Sequence, residues 1–182
     1  MKFLIIYGTT EGQTRKIARF MEEVLQENGH QAIIADASDE PPTPTGFDAV
    51  LIGGSLHMHK YQSPMAHYVT NNITDLNTMP TAFFSVSLAV ASDMEEEHQE
   101  VQKITDEFLA QKGWKPIETT QIAGALKYTQ YDYFKRLIMK IISKKEGRTT
   151  DTSQDYEYTD WNAVKKFIDQ FADKVVKMHE LR

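Results

Sequence analysis

Apolar residues along this chain fall into two textures. Five short continuous runs, Phe3–Tyr7, Ala32–Ala35, Ala49–Gly53, Ala82–Val86 and Gln121–Leu126, predict strands covered on both faces, because a strand with one wet face would alternate. Between most of them the apolar positions recur at helical spacing. Ile17, Ala18, Met21, Val24 and Leu25 mark a helix from Thr14 to about Asn28, stopped by Gly29, a residue suited to a left-handed terminator. Ser63-Pro64 predicts a second start, with a Ser cap and Pro at the first helical position. Ser92-Asp93-Met94-Glu95 reads as a capping box that opens a long helix toward Gln111. Asp160 is expected to cap a last helix with the stripe Trp161, Val164, Phe167, Ile168, Phe171 and Val175. Asp39-Glu40-Pro41-Pro42-Thr43-Pro44 is too rich in proline for a helix and reads as a loop. The alternation predicts an α/β fold, a five-stranded parallel sheet with right-handed crossovers and helices on both faces. No repeat or linker divides the chain, so residues 1–182 are expected to form a single domain.

The first strand delivers Gly8-Thr9-Thr10-Glu11-Gly12-Gln13-Thr14 to the first helix. Free backbone N–H groups and the positive end of the dipole make such a junction an anion site. The loop has no Lys, and neither the Gly-x-x-x-x-Gly-Lys-Ser/Thr of a nucleotide triphosphate site nor the Gly-x-Gly-x-x-Gly of a dinucleotide site is present. An ordinary Thr-rich turn would share this pattern. In sheets of this kind ligands sit beyond the C-terminal strand ends, which brings two more loops to the same place. They are Gly53-Gly54-Ser55-Leu56-His57-Met58-His59 and Ser85-Val86-Ser87-Leu88-Ala89-Val90-Ala91. Both are small or apolar where a flat ring would approach backbone, and Gly53-Gly54 reads equally as turn chemistry.

Composition narrows the chemistry. With no cysteine, disulfides, thiolate catalysis and Cys-ligated metals or clusters are excluded. The chain opens on a core strand rather than a leader, and no apolar run reaches spanning length, so a cytoplasmic protein is expected. The net charge of −6 argues against nucleic acid as a partner. That charge is unevenly spread. Lys127, Lys135, Arg136, Lys140, Lys144, Lys145 and Arg148 face only Asp132 and Glu146, so this segment is +5 and the rest of the chain −11. Within it Tyr131, Phe134, Leu137, Ile138, Ile141 and Ile142 recur on one helical face, with Lys135, Arg136, Lys140 and Lys144 around the other. Such a helix suits an anionic lipid surface or carboxylate-bearing ligands, or packs on its own domain with a solvated basic face. The basic residues fall in an insert of about residues 127–155, associated with the fifth strand.

With all three loops in order, Thr9, Thr10, Glu11, Gly12, Gln13 and Thr14 resemble the Thr-x-Thr-Gly-Asn-Thr loop with which flavodoxins hold the FMN phosphate without a cation. Glu11 departs from it where a hydroxyl residue is usual. Its carboxylate is expected to point away from the phosphate, leaving only its backbone N–H. The runs Met79-Pro80-Thr81-Ala82-Phe83-Phe84-Ser85-Val86 and Ile122-Ala123-Gly124-Ala125-Leu126-Lys127-Tyr128, the insert, and Thr149–Thr152 with Tyr158-Thr159-Asp160-Trp161 resemble the bacterial menaquinone-dependent protoporphyrinogen IX dehydrogenases. The likeness spans nearly the whole chain and is weak only between Ala91 and Pro116. It implies a flavodoxin-like fold and FMN bound by Thr9–Thr14, with Ser55, Leu56, His57, Ser87, Leu88, Ala89 and Val90 bordering the ring. It also implies oxidation of protoporphyrinogen IX with menaquinone as acceptor, in heme biosynthesis, at the cytoplasmic face of the inner membrane. Tyr131, Lys135, Arg136, Lys140 and Lys144 would then meet substrate propionates or an anionic membrane. A flavodoxin-type electron carrier and an NAD(P)H-dependent quinone reductase are the alternatives. The carrier would lack the +5 insert, and no motif marks a nicotinamide site.

Two further groupings say less. His57-x-His59 with His67 lacks a carboxylate cluster and is poor metal-ligand spacing. Tyr128, Tyr131, Tyr133, Tyr156 and Tyr158 crowd around the insert, as stacking partners or as packing. No paired carboxylate or Ser–His–Asp spacing points to hydrolysis, and no acid or base residue is identified.

Overall fold

In a computed structural model, which describes residues 1–126 and 156–181, the five apolar runs form one parallel sheet. The elements are β1 (Lys2–Gly8), α1 (Gln13–Glu27), β2 (Gln31–Asp36), β3 (Ala49–Ser55), α2 (Ser63–Asn71), α3 (Ile73–Leu76), β4 (Thr81–Ser87), a 3-10 turn (Leu88–Ala91), α4 (Glu95–Lys112), β5 (Glu118–Ala123), β6 (Ala125–Leu126), β7 (Tyr156–Glu157) and α5 (Trp161–Glu180). The strand order is β2-β1-β3-β4-β5. The insert and its residues Tyr131, Lys135, Arg136, Lys140 and Lys144 lie outside the described residues.

Residue alternation along β1 explains why both faces are covered. Phe3, Ile5 and Tyr7 join Ile17, Met21 and Leu25 of α1 and Ile168, Phe171 and Val175 of α5 in one core. Leu4 and Ile6 join Met65 and Val69 of α2, Leu76, Phe83 and Trp114 in the other, with Phe108 and Leu109 of α4 packed against it. Phe3, Phe83, Phe84 and Phe171 are fully buried. Each such side chain contributes about 1.5–3 kcal/mol by leaving water. The connections after β1 and β3 therefore depart to opposite faces. A crevice opens where they part, beyond the C-terminal ends of β1 and β3.

The ends of β5 and the starts of α2 and α4 differ from expectation. β5 starts earlier, at Glu118, and ends at Ala123. Gly124 then donates its N–H to Ser87 O at 3.0 Å and accepts from Tyr158 N at 3.1 Å. Ala125 and Leu126 turn into a separate antiparallel ladder with Glu157 and Tyr156. The apolar run does not mark this break, because Ile122 is core and Ala125 lines the cavity described below. Ser63 is already helical, and Gln62 holds the cap position of α2 with no side-chain cap. The capping box does not form either. Met94 precedes α4, and the Ser92 hydroxyl accepts from Met94 N at 3.2 Å within a turn instead of reaching the helix. Asp160 does cap α5, accepting from the N–H groups of Asn162 and Ala163 at 3.0 Å. α1 ends at Glu27, with Asn28 as its C-cap and Gly29 at φ 80, and residues 39–44 are a loop, both close to what the sequence predicts.

Candidate cofactor site

The C-terminal strand ends enclose a cleft with about 410 Å³ of empty space, open to solvent. Three loops converge there because the sheet is in parallel register. Gly8 lies beside Gly54, Ser55 beside Val86 and Ser87 beside Ala123. Thr9, Thr10, Glu11, Gln13 and Thr14 line one side, Ser55, Leu56 and His57 a second, and Val86, Ser87 and Leu88 a third.

The loop-to-helix junction is built for an acceptor. Gly12 occupies the cap position of α1 at φ 92, ψ −9, and no side chain caps the helix. Only glycine adopts that conformation at little cost. The Gly12 N–H donates to Thr9 Oγ1 at 2.9 Å. Gln62 spends both amide hydrogens, one on Thr10 Oγ1 at 3.0 Å and one on Ser55 Oγ. Ala89 N donates to Ser87 Oγ at 3.1 Å. Thr14 is fully buried and its Oγ1 has no partner. Thr9, Thr10, Ser55 and Ser87 thus act only as acceptors toward described residues, and Thr14 is unengaged. Each keeps a hydroxyl proton to donate. A buried polar atom without a partner is rare in a native fold and marks a place where one is supplied.

Lys16 pairs with Glu157 and sits 5.2 Å from the centre of the Trp161 ring. The hydrogen bond from Lys16 holds the Glu157 carboxyl below its ordinary range, opposed by burial and helped by donation from Trp161 and Gln13. Tyr61 OH donates to Ser85 Oγ at 2.9 Å and lies 2.9 Å from Thr105 Oγ1, and burial raises its pKa despite those bonds.

Some expected residues fall elsewhere. Ala89 and Val90 sit in the 3-10 turn beside the cleft and do not line it; Val90 borders a neighbouring groove with Glu95 and His98. Glu11 is half-buried and lines the cleft, with Oε1 withdrawn from solvent, so its side chain is tucked in rather than projecting into water. Gly53 and Gly54 are strand residues and not turn residues. They lie within β3, where a Cβ at 53 would sit 2.0 Å from Phe84 Cζ and one at 54 would sit 2.6 Å from Met65 Cε. The loop after β3 is a tight turn, with Met58 and His59 at φ 47 and 64 and paired backbone bonds of 3.0 Å between His57 and Lys60. His59 Nδ1 lies 3.4 Å from Glu100 Oε1. Among the described residues no group of three His, Asp or Glu side chains is placed to hold a metal.

Gln62, Gly124 and Ala125 were missed. The fifth strand end follows from the same strand-end rule that gave the third and fourth loops. Gln62 carries no local signal, since it acts across 52 residues of sequence on Thr10.

The Flavodoxin domain family model matches residues 4–153. The protoporphyrinogen IX dehydrogenase [quinone] of Escherichia coli K12 is 38% identical over 94% of this chain and 95% of its own. That of Leishmania major is 32% identical over 94% of this chain and 74% of its own. The chain belongs to the flavodoxin domain family, alongside these dehydrogenases. Among solved structures, oxidised flavodoxin 1 of Bacillus cereus superposes with a TM-score of 0.57 at 14% identity, covering 95% of this chain and 98% of that one. A short-chain flavodoxin associated with a bacterial microcompartment gives 0.58 at 10% identity, covering 96% and 99%. At such identity the likeness is one of fold. Flavodoxin is itself a standard example of ligand binding where the strand order reverses.

Proposed function

We propose that the chain binds FMN in this cleft and oxidises protoporphyrinogen IX to protoporphyrin IX, with menaquinone as acceptor, in heme biosynthesis. One observation carries the cofactor reading. Hydroxyls on three loops have protons left to donate, around an uncapped helix N-terminus. Such a lining favours a flat polar ligand ending in an anion, and disfavours a cation. The Thr9, Thr10 and Thr14 hydroxyls and the first N–H groups of α1 would hold the phosphate. Ser55, Leu56, His57, Ser87 and Leu88, with Gly124 and Ala125, would border the ring. FMN, when bound, supplies two-electron redox chemistry. The chain's part is to fix the ring's depth and polarity and to keep its phosphate out of bulk water.

The substrate and a quinone acceptor rest on the names of the relatives, which are dehydrogenases; menaquinone as that quinone rests on the sequence resemblance. Six hydrogens leave the porphyrinogen, so one porphyrin forms as three quinones become quinols. The +5 segment from Lys127 to Arg148 supports the membrane and propionate parts of this reading, because a quinone resides in lipid and a porphyrinogen carries carboxylates. Among the described residues no helix is long and apolar enough to cross a membrane. Peripheral contact on the cytoplasmic face of the inner membrane, through the +5 segment, is the form of attachment proposed.

The test is anaerobic incubation of FMN-loaded protein with protoporphyrinogen IX and a menaquinone analogue, following porphyrin fluorescence. Porphyrin formed in step with quinol is expected. A protein that holds FMN but makes no porphyrin would favour the electron-carrier or the NAD(P)H-dependent quinone reductase alternative.

A further inference from the structure

Gln13 lies in the candidate phosphate loop, yet its side chain is committed elsewhere. Its Nε2 donates to Thr159 Oγ1 at 2.9 Å, across 146 residues of sequence, and its amide helps to hold the Glu157 carboxyl below its ordinary range. Thr159 in turn donates to Ala123 O at 2.7 Å. The directions are forced. A carbonyl only accepts, so the one hydroxyl proton of Thr159 goes to Ala123, and its lone pair is left for a donor. Gln13 must then present its NH2 group there, so the amide is anchored to Thr159 from the donor side. Thr159 is buried and joins the end of β5 to the first residue of α1.

We infer that Thr159 is a positioning residue for the phosphate site. Through Gln13 it fixes the first turn of α1, so that the backbone N–H groups of Gln13 and Thr14 stay aimed at the phosphate. The Gln13 side chain is an anchor and not a phosphate ligand. This inference rests on the FMN reading above. Other contacts hold the segment around Thr159 without its hydroxyl. Tyr158 N bonds Gly124 O, Glu157 pairs with Ala125 and with Lys16, and Asp160 caps α5. Loss of the hydroxyl therefore loosens the junction without unfolding it.

The experiment titrates flavin-free full-length protein with FMN and with riboflavin, which lacks the phosphate. Thr159→Val should weaken FMN about fivefold, the worth of one ordinary hydrogen bond, and leave riboflavin unchanged. Thr159→Ser should restore FMN affinity. Gln13→Ala should match Thr159→Val, and the double variant should be no worse than either, because both remove one shared contact. Equal FMN affinity in Thr159→Val and wild type would overturn the inference. So would an equal loss for both flavins, which would mean a merely structural role. A loss in Gln13→Ala far larger than in Thr159→Val would make Gln13 a direct ligand and also overturn it. Wild-type protein with no preference for FMN over riboflavin would defeat the cofactor reading itself, and this inference with it.

Discussion

Phe84 fills the space a side chain at Gly53 would need: a Cβ there would lie 2.0 Å from Phe84 Cζ. Both residues are buried, and they are paired across β3 and β4. Gly53→Ala should therefore destabilise the fold by about 1–3 kcal/mol through overpacking. Chemical denaturation measures it. Shrinking the ring in Gly53→Ala/Phe84→Leu should recover part of the loss, and a double variant worse than additive would contradict the assigned contact.

Thr14 sets stability against binding. Its hydroxyl is buried without a partner, which is unfavourable in the flavin-free protein and useful only when an acceptor arrives. Thr14→Val should raise the melting temperature of flavin-free protein while weakening FMN about tenfold or more, the share of a bond to a charged group. Thr9→Ala should weaken FMN without raising stability, because Thr9 already accepts from Gly12. Unchanged FMN affinity in both variants would rule out the phosphate assignment.

Glu11 brings a carboxylate to a loop that is to receive an anion. It lines the cleft and is half-buried, so solvent screens it incompletely. Glu11→Gln should tighten FMN severalfold at low salt, and the gain should shrink as salt rises. Riboflavin should bind both proteins alike. Weaker FMN binding in Glu11→Gln would show that the carboxylate supports the loop instead.

The sheet was legible because buried parallel strands are written as apolar runs, and α1 and α5 because their stripes are wide. The local stop signals were less reliable. Gly29 and Asp160 act as read, but Ser63 and Ser92 do not: Ser63 is already helical and Met94 holds the cap position of α4, and a side chain caps a helix only from that position. The first site loop was legible in its Thr-rich junction with the first helix, and two more followed from the strand-end rule. What sequence could not give was long-range: Gln62 reaching Thr10, Phe84 displacing any side chain at 53, and Thr159 claiming the Gln13 amide. Each depends on neighbours that only the folded sheet creates.

His30 gives a pH signature away from the cleft. Burial lowers its pKa from 6.5, the N-terminal ammonium adds to this, and Asp173 opposes it; its ring packs 5.2 Å from that of Phe3. The folded state thus favours the neutral ring. Its contribution is fully present above 6.5 and is lost as pH falls through the depressed folded value. Between pH about 7 and about 5 the wild-type melting temperature should fall more steeply than that of His30→Gln. Parallel curves would remove His30 from the account.

The ladder of β6 and β7 permits a clean test of the insert. Ala125 pairs with Glu157 and Leu126 with Tyr156, antiparallel, so residues 127–155 can be replaced by a two-residue Asn-Gly turn that joins such strands directly. The contacts holding the cleft on that side, Gly124 with Ser87 and Tyr158, and Thr159 with Ala123 and Gln13, all lie outside the deletion. FMN should stay bound, and dithionite should still reduce it. Porphyrinogen oxidation with menaquinone should fall sharply, because the deletion removes the apolar positions Phe134, Leu137, Ile138, Ile141 and Ile142 together with the basic cluster. Reversing charge at Lys135, Arg136, Lys140 and Lys144 in the full chain should reduce binding to anionic vesicles, at about 1 kcal/mol per cation at low salt. That loss should fade as salt screens the surface. If the deletion protein oxidises porphyrinogen with menaquinone at the full rate, the insert serves packing alone, and the quinone and substrate must meet the flavin through the cleft residues themselves.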